Sequence, residues 1–146
     1  MKIIVDAFGG DNAPLEILKA CAEAVTDFDI DILLTGDQDE ILRVAKENNI
    51  SLNRIEIVHA PGVITMEDEP TEITKGKSDS SMAEGCRQLV AGNGDAFISA
   101  GNSGALVVGA TLLVKRIKGI KRVAFAPIMP KSKGHFMLLD AGANNE

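Results

Sequence analysis

Short apolar runs alternate along this chain with longer segments whose apolar residues recur at helical spacing, and this alternation limits the fold more than any other feature. It is the pattern of consecutive strand-helix units, which build an open, mainly parallel sheet with helices on both faces. The first strand is predicted at residues 2–6. A helix over 14–28 follows, with Pro14 near its first turn and Leu15, Leu18, Ala22 and Val25 on one face. Residues 30–34 make the second strand. Asp37 and Glu40 have capping-box spacing ahead of a helix through Ile41, Leu42, Val44 and Ala45 that ends near Asn48 and Asn49. A third strand is predicted at 55–58. Residues 61–80, with two prolines, two glycines, an acidic run and two lysines, read as a long exposed loop. Ser81 and Glu84 repeat the capping spacing and open a helix with Met82, Cys86, Leu89 and Val90, stopped at Gly92-Asn93-Gly94. A strand at 96–99, a helix at 103–117 and strands at 123–128 and 136–140 complete the reading.

Composition agrees with this class. Aliphatic residues dominate the apolar content of the 146 residues, Trp and Tyr are absent, and Phe occurs five times, which suits β-branched strands under Ala- and Leu-rich helices. The net charge of −6 argues against nucleic acid as a partner, because a phosphate backbone needs a basic surface. That average hides an asymmetry. Residues 1–114 carry 8 basic and 19 acidic side chains, whereas residues 115–146 carry 7 and 2. Five of the seven, Lys115, Arg116, Lys118, Lys121 and Arg122, follow one another closely; they either complement a helix C-terminus or form a docking patch for an acidic protein or anionic lipid headgroups. Cys21 and Cys86 lie inside apolar helical patterns and read as buried thiols, and no Cys/His cluster has metal-ligand spacing. The start lacks the basic region and apolar stretch of a signal peptide, so the protein reads as cytoplasmic. The charge-free stretch 96–114 is broken by the polar loop Ser99 to Gly104 and is too short to cross a bilayer. The last residues stop inside a glycine-containing strand-to-helix turn, and the chain therefore reads as a fragment.

In an open parallel sheet ligands bind beyond the carboxyl ends of the strands. Here that rim comprises Asp6–Asp11, residues 35–37, residues 59–62, Ser99–Gly104 and residues 140–144. The turn Gly101-Asn102-Ser103-Gly104 stands between a strand and a helix start; it is either an anion site built from free N–H groups or a plain helix cap. Asp140 and Asn144 suit a polar ligand, or Asp140 caps the next helix. His59 is either a general base or a hydrogen-bonded rim residue. Lys75 and Lys77 either clamp an anion or solubilise their loop, and the acidic run Glu67-Asp68-Glu69 reads as solvated rather than metal-binding. Phe8-Gly9-Gly10-Asp11-Asn12 matches neither the dinucleotide nor the P-loop glycine pattern. Gly101-Asn102-Ser103-Gly104-Ala105 misses G-x-S-x-G at its last position, which leaves a serine hydrolase a weak alternative.

Five segments, in order, resemble the N-terminal half of the PlsX-type phosphate acyltransferases: Val5-Asp6-Ala7-Phe8-Gly9-Gly10-Asp11-Asn12-Ala13-Pro14; Glu69-Pro70 with Lys75, Lys77 and Ser80-Ser81-Met82; Ser99 to Ala105; Arg116-Ile117-Lys118-Gly119-Ile120; and Leu138-Leu139-Asp140-Ala141-Gly142-Ala143-Asn144. Phe8, Ile73 and Lys75 depart from the usual Met, small residue and Arg of that family, and a lysine at 75 lacks the fork of a guanidinium. The resemblance implies a fold similar to phosphate acetyltransferases and isopropylmalate dehydrogenases, of which this chain is an incomplete part. It further implies a bacterial phospholipid-synthesis enzyme, usually a homodimer, that transfers a fatty acyl group from acyl carrier protein to inorganic phosphate without a cofactor. On this reading the catalytic candidates are Asp140, Asn144 and His59. The substrate-binding candidates are Asp6, Gly9, Gly10, Asp11, Lys75, Lys77, Ser81, Gly101, Asn102, Ser103 and Gly104. The partners implied are acyl carrier protein, phosphate and an acyl chain, with a peripheral location at the inner face of the membrane; the 146 residues alone are expected to be inactive. A noncatalytic anion-binding module and a dehydrogenase of related fold are the alternatives, and thiol release from an acyl carrier protein thioester in the presence of phosphate separates the three.

Overall fold

A computed structural model of the chain describes residues 1–121 and 123–139. Met1–Lys115 forms one compact unit, and the residues from Arg116 onward belong to a second.

In the first unit the elements run β1 (Lys2–Asp6), α1 (Leu15–Phe28), β2 (Asp31–Gly36), α2 (Gln38–Glu47) and β3 (Ile55–His59). A 3-10 turn (Pro70–Thr74), α3 (Ser81–Val90), β4 (Ala96–Ile98) and α4 (Ser103–Gly109) follow, and α4 runs on into a π-helical turn, Ala110–Val114. The four strands are all parallel, in the order β3-β2-β1-β4. Alternation along the strands divides the apolar residues between the two faces. On one face Val5, Ile32 and Leu34 pack with Leu18, Cys21 and Val25 of α1 and Ile41 and Val44 of α2. The opposite face carries Thr35, whose hydroxyl donates to the Ser81 carbonyl at 2.8 Å and so ties β2 to α3. There the core is Met82 and Ala83 of α3 with Ile64, Ile73 and Ala105. Burying a side chain such as Leu18 or Ile41, both fully covered, contributes roughly 1.5–3 kcal/mol each.

This topology has one consequence for ligands. The chain leaves β1 by a helix on one face to reach β2, and reaches β4, on the other side of β1, after α3 on the opposite face. The strand order reverses between β1 and β4, and a crevice opens at their carboxyl ends.

The structure moves several predicted boundaries. Pro14 takes the cap position and α1 starts at Leu15. Ser80, not Ser81, caps α3, its Oγ accepting the Ala83 N–H at 3.3 Å; both serines are buried, and Ser81 is the first residue of the helix. The Glu84 carboxylate is therefore not part of a capping box; it accepts from Arg87 and Gln88 one turn further on. The helix expected to reach residue 117 ends at Val114, and Lys115 follows at φ 73°.

In the second unit, β5 (Ile128–Pro130) and β6 (His135–Met137) pair antiparallel. The parallel strands expected at 123–128 and 136–140 are replaced by this short hairpin over the described residues. Four residues connect the two strands, and a parallel crossover needs a dozen or more. Every residue of both strands is exposed.

Candidate functional site

The crevice between β1 and β4 is shaped by two loops held against each other. Asp6 ends β1 at 2 % exposure. Its Oδ1 accepts the N–H of Phe8 at 3.1 Å, and its Oδ2 accepts the hydroxyl of Ser99, just beyond β4, at 2.7 Å. Ser99 Oγ in turn accepts the Gly101 N–H at 3.1 Å. Gly9 fits into this network because it has no side chain: a Cβ there would lie 2.7 Å from Ser99 Oγ, 2.9 Å from Asp6 Oδ2 and 2.9 Å from the Gly101 nitrogen.

The third wall comes from the long loop. Asn102 is buried at 7 % exposure, and each of its side-chain atoms has a partner. Its Oδ1 accepts the Ala105 N–H at 3.0 Å, capping α4. Its Nδ2 donates to the carbonyls of Thr65 and Asp68, each at 3.1 Å. Within the loop, Asp68 accepts from Thr65 and forms an ion pair with Lys77 at 2.5 Å. The Lys77 ammonium and the Thr65 N–H together hold the Asp68 carboxyl below the usual carboxylate range. The loop is thus pinned over the crevice rather than free in solvent.

What remains open is a cleft of about 210 Å³ lined by Phe8, Gly10 and Asp11 from the first loop, Val63 to Glu67 from the long loop, and Gly101. A mixed lining of this kind accepts a polar group at one end and an apolar one at the other. Its charged residues, Asp11 and Glu67, are acidic. Among the described residues no group of three or more His, Cys, Asp or Glu stands close enough to hold a metal ion.

The structure brings together only part of the set read from the sequence. Gly10, Asp11 and Gly101 line the cleft, while Asp6 and Gly9 form its support. The amide of Asn102 is occupied as cap and loop clamp. Gly104 offers its open side to protein, since a Cβ there would meet Pro70 at 2.9 Å, and it serves the packing of α4 on the 3-10 turn. Ser103 is exposed at the first position of α4. His59 is exposed at the end of β3, where its Nδ1 accepts the Gln38 N–H at 3.2 Å at the start of α2. Lys77 is engaged by Asp68, Lys75 is exposed, and Ser81 is buried under the sheet. Asp140 and Asn144 lie outside the described residues, as does Arg122 of the basic cluster.

Sequence reasoning passed over Phe8, Thr65, Met66 and Glu67 as lining, and Ser99 as support. Ser99 and Phe8 stood on the rim already, and the length of the 61–80 loop was the signal for the other three. Both cysteines are buried, Cys21 in α1 and Cys86 in α3. Burial pushes each thiol up to about 11.

The solved structure of the EutD phosphotransacetylase from Staphylococcus aureus superposes on 99% of this chain with a TM-score of 0.68 at 22% identity, covering 47% of that protein. At that identity the likeness establishes the α/β fold. Among curated sequences, the phosphate acyltransferase of Alkaliphilus oremlandii is 47% identical over the whole chain and that of Acetivibrio thermocellus 46% identical over 99% of it. The chain spans less than half the length of each, 44% and 43% respectively. Since the family model described as fatty acid synthesis protein matches from residue 1 to residue 146 without a break, the chain belongs to that family.

Proposed function

We propose that this chain is the N-terminal part of a phosphate acyltransferase that moves a fatty acyl group from acyl carrier protein to inorganic phosphate, feeding phospholipid synthesis. The observation that carries this reading is the end-to-end similarity, at 46–47% identity, to proteins named phosphate acyltransferase. The cleft at the topological switch point supports it, being a place where a small anion and a thioester carbonyl can meet.

In the proposed reaction a phosphate oxygen attacks the thioester carbonyl. The new C–O bond forms, the C–S bond breaks through a tetrahedral intermediate, and the phosphate proton ends on the leaving thiol. The nucleophile is the substrate itself, so the protein's task is to position the reactants and stabilise the developing oxyanion. On this reading Gly10 and Gly101 let substrate approach the backbone, Asp11 or Glu67 accepts a phosphate proton, and the apolar side of Phe8 and Met66 takes the start of an acyl chain. Lys77 is committed to Asp68 and neither it nor the exposed Lys75 lines the cleft, so the cations for phosphate then come from the part of the relatives that extends beyond this chain. The exposed cations Lys115, Arg116, Lys118 and Lys121 suit an acidic carrier protein. We further propose a cytoplasmic homodimer in contact with the inner membrane face; no helix among the described residues is long and apolar enough to cross a membrane.

The test uses a full-length protein carrying this sequence, supplied with an acyl carrier protein thioester. Thiol release that depends on phosphate, with hydroxylamine trapping the acyl phosphate, is the expected result. Thiol release independent of phosphate overturns the reading.

A further inference from the structure

We infer that Asp6 and Ser99 are positioning residues of the cleft, acting through Phe8 and Gly101 rather than by touching substrate. This rests on the reading above that the cleft is where phosphate meets the thioester.

Three observations converge on these two side chains. The first is burial without a cationic partner. Asp6 is 2 % exposed, forms no ion pair among the described residues, and has both carboxylate oxygens engaged at the two sides of the crevice. A carboxylate in such surroundings costs free energy unless its hydrogen bonds are complete, and an apolar residue would serve a purely structural role more cheaply. The second is where the bonds lead. Oδ1 fixes the backbone of Phe8, and Oδ2, through Ser99, fixes the backbone of Gly101. Phe8 and Gly101 line the cleft from opposite loops. One carboxylate thus sets the spacing between the loops after β1 and β4, strands that are 93 residues apart at this bond. The third is the contact of Gly9 with all three groups, which leaves the network no slack in that direction.

Ser99 holds the pair together because it is donor and acceptor at once. Its proton goes to Asp6, which turns a lone pair towards the Gly101 N–H. Alanine at 99 frees that N–H and lets the Gly101 backbone shift, while threonine keeps the hydroxyl. Asparagine at 6 keeps the shape and the Phe8 bond but presents an NH₂ group to Ser99, so that the hydroxyl can no longer donate there.

The experiment measures kcat, the KM for phosphate and the melting temperature of the full-length protein with Ser99→Ala, Ser99→Thr and Asp6→Asn. One lost hydrogen bond corresponds to a change of about three- to tenfold. Ser99→Ala is expected to raise the phosphate KM by about that factor with kcat near wild type, and to lower the melting temperature, since the buried Asp6 carboxylate loses a donor. Ser99→Thr restores the KM, and Asp6→Asn moves it in the same direction as alanine. A wild-type KM in Ser99→Ala overturns the inference. So does a joint fall of kcat and melting temperature that threonine does not repair, for then the pair is only structural. Should the wild-type protein itself lack phosphate-dependent thiol release, the functional reading has failed, and amide exchange decides the positioning claim separately. Faster exchange at Gly101 in both Ser99→Ala and Asp6→Asn, with Phe8 unchanged in the latter, supports it, and unchanged exchange at Gly101 refutes it.

Discussion

The two ends of the parallel sheet are built on opposite principles. At the amino end, where the strands begin, charged side chains in open solvent do the joining. Lys2 reaches Glu56 at 2.8 Å, its N–H donates to Asp95, and Arg54 bridges Asp29 at 2.5 Å and Asp31 at 2.8 Å. At the carboxyl end the joints are buried or part-buried hydrogen bonds of 2.7–3.1 Å among Asp6, Ser99, Gly101 and Asn102, with Gly9 closed in on three sides. Exposed ion pairs are screened, geometrically loose and individually worth little. Buried hydrogen bonds between fixed backbones tolerate little change of any kind. The end that faces the candidate cleft is therefore the rigid one, as expected where ligand geometry has to be held.

Substitutions that challenge this contrast rank from the carboxyl end downward. Gly9→Val carries the largest expected effect. The new side chain meets backbone as well as side-chain atoms, so the loops must separate, at a cost of about 1–3 kcal/mol, with activity of the full-length protein abolished. Chemical denaturation checks the first part and thiol release the second; an unshifted midpoint would mean the two loops part freely. Asn102→Ala comes next. It removes a cap and leaves two loop carbonyls without their donor, costing roughly 1–2 kcal/mol and exposing residues 61–80 to limited proteolysis. Asn102→Asp keeps the cap but turns an anionic oxygen towards the two carbonyls, and is expected to free the loop at least as fully as alanine does. At the other end, Arg54→Ala is expected to change the melting temperature least of the set at neutral pH.

Acid sharpens the same comparison. The Arg54 guanidinium holds the Asp31 carboxyl below the usual carboxylate range. A depressed carboxylate contributes stability that is present above its unfolded value, near pH 4, and is lost as pH falls through the folded one. Wild type should thus lose more stability than Arg54→Ala on descending below about pH 4, and parallel acid limbs for the two proteins would refute the assignment.

How far the sequence foretold this structure differs between the regions. The four parallel strands were legible because each is a short apolar run bounded by turn residues, and Asp37 was legible as a cap because its partner Glu40 lies three residues away. The cap falls on Ser80 rather than Ser81, a difference the sequence hides because two adjacent serines, both buried in the fold, offer the same local signal, and only the position of the first free helix N–H groups decides between them. The hairpin at 128–137 escaped because its strands lie in continuous apolar runs of the kind a buried parallel strand shows, while its four-residue connection permits only antiparallel pairing. At the site, sequence reading found the loops but not their duties. Whether Asn102 turns its amide towards a ligand or towards Thr65 and Asp68 depends on a segment more than thirty residues away. The same holds for Gly104, whose neighbour is Pro70.

The strand order also carries a cost in time. β1 is the first strand to be synthesised and occupies an inner position in the sheet, yet β4, its neighbour on one side, lies more than ninety residues downstream. On a ribosome adding about 5–20 residues per second, β1, β2 and β3 can pair while the free edge of β1 waits several seconds for its mate. During that interval an apolar strand edge is open to wrong partners, including the same edge of another nascent chain.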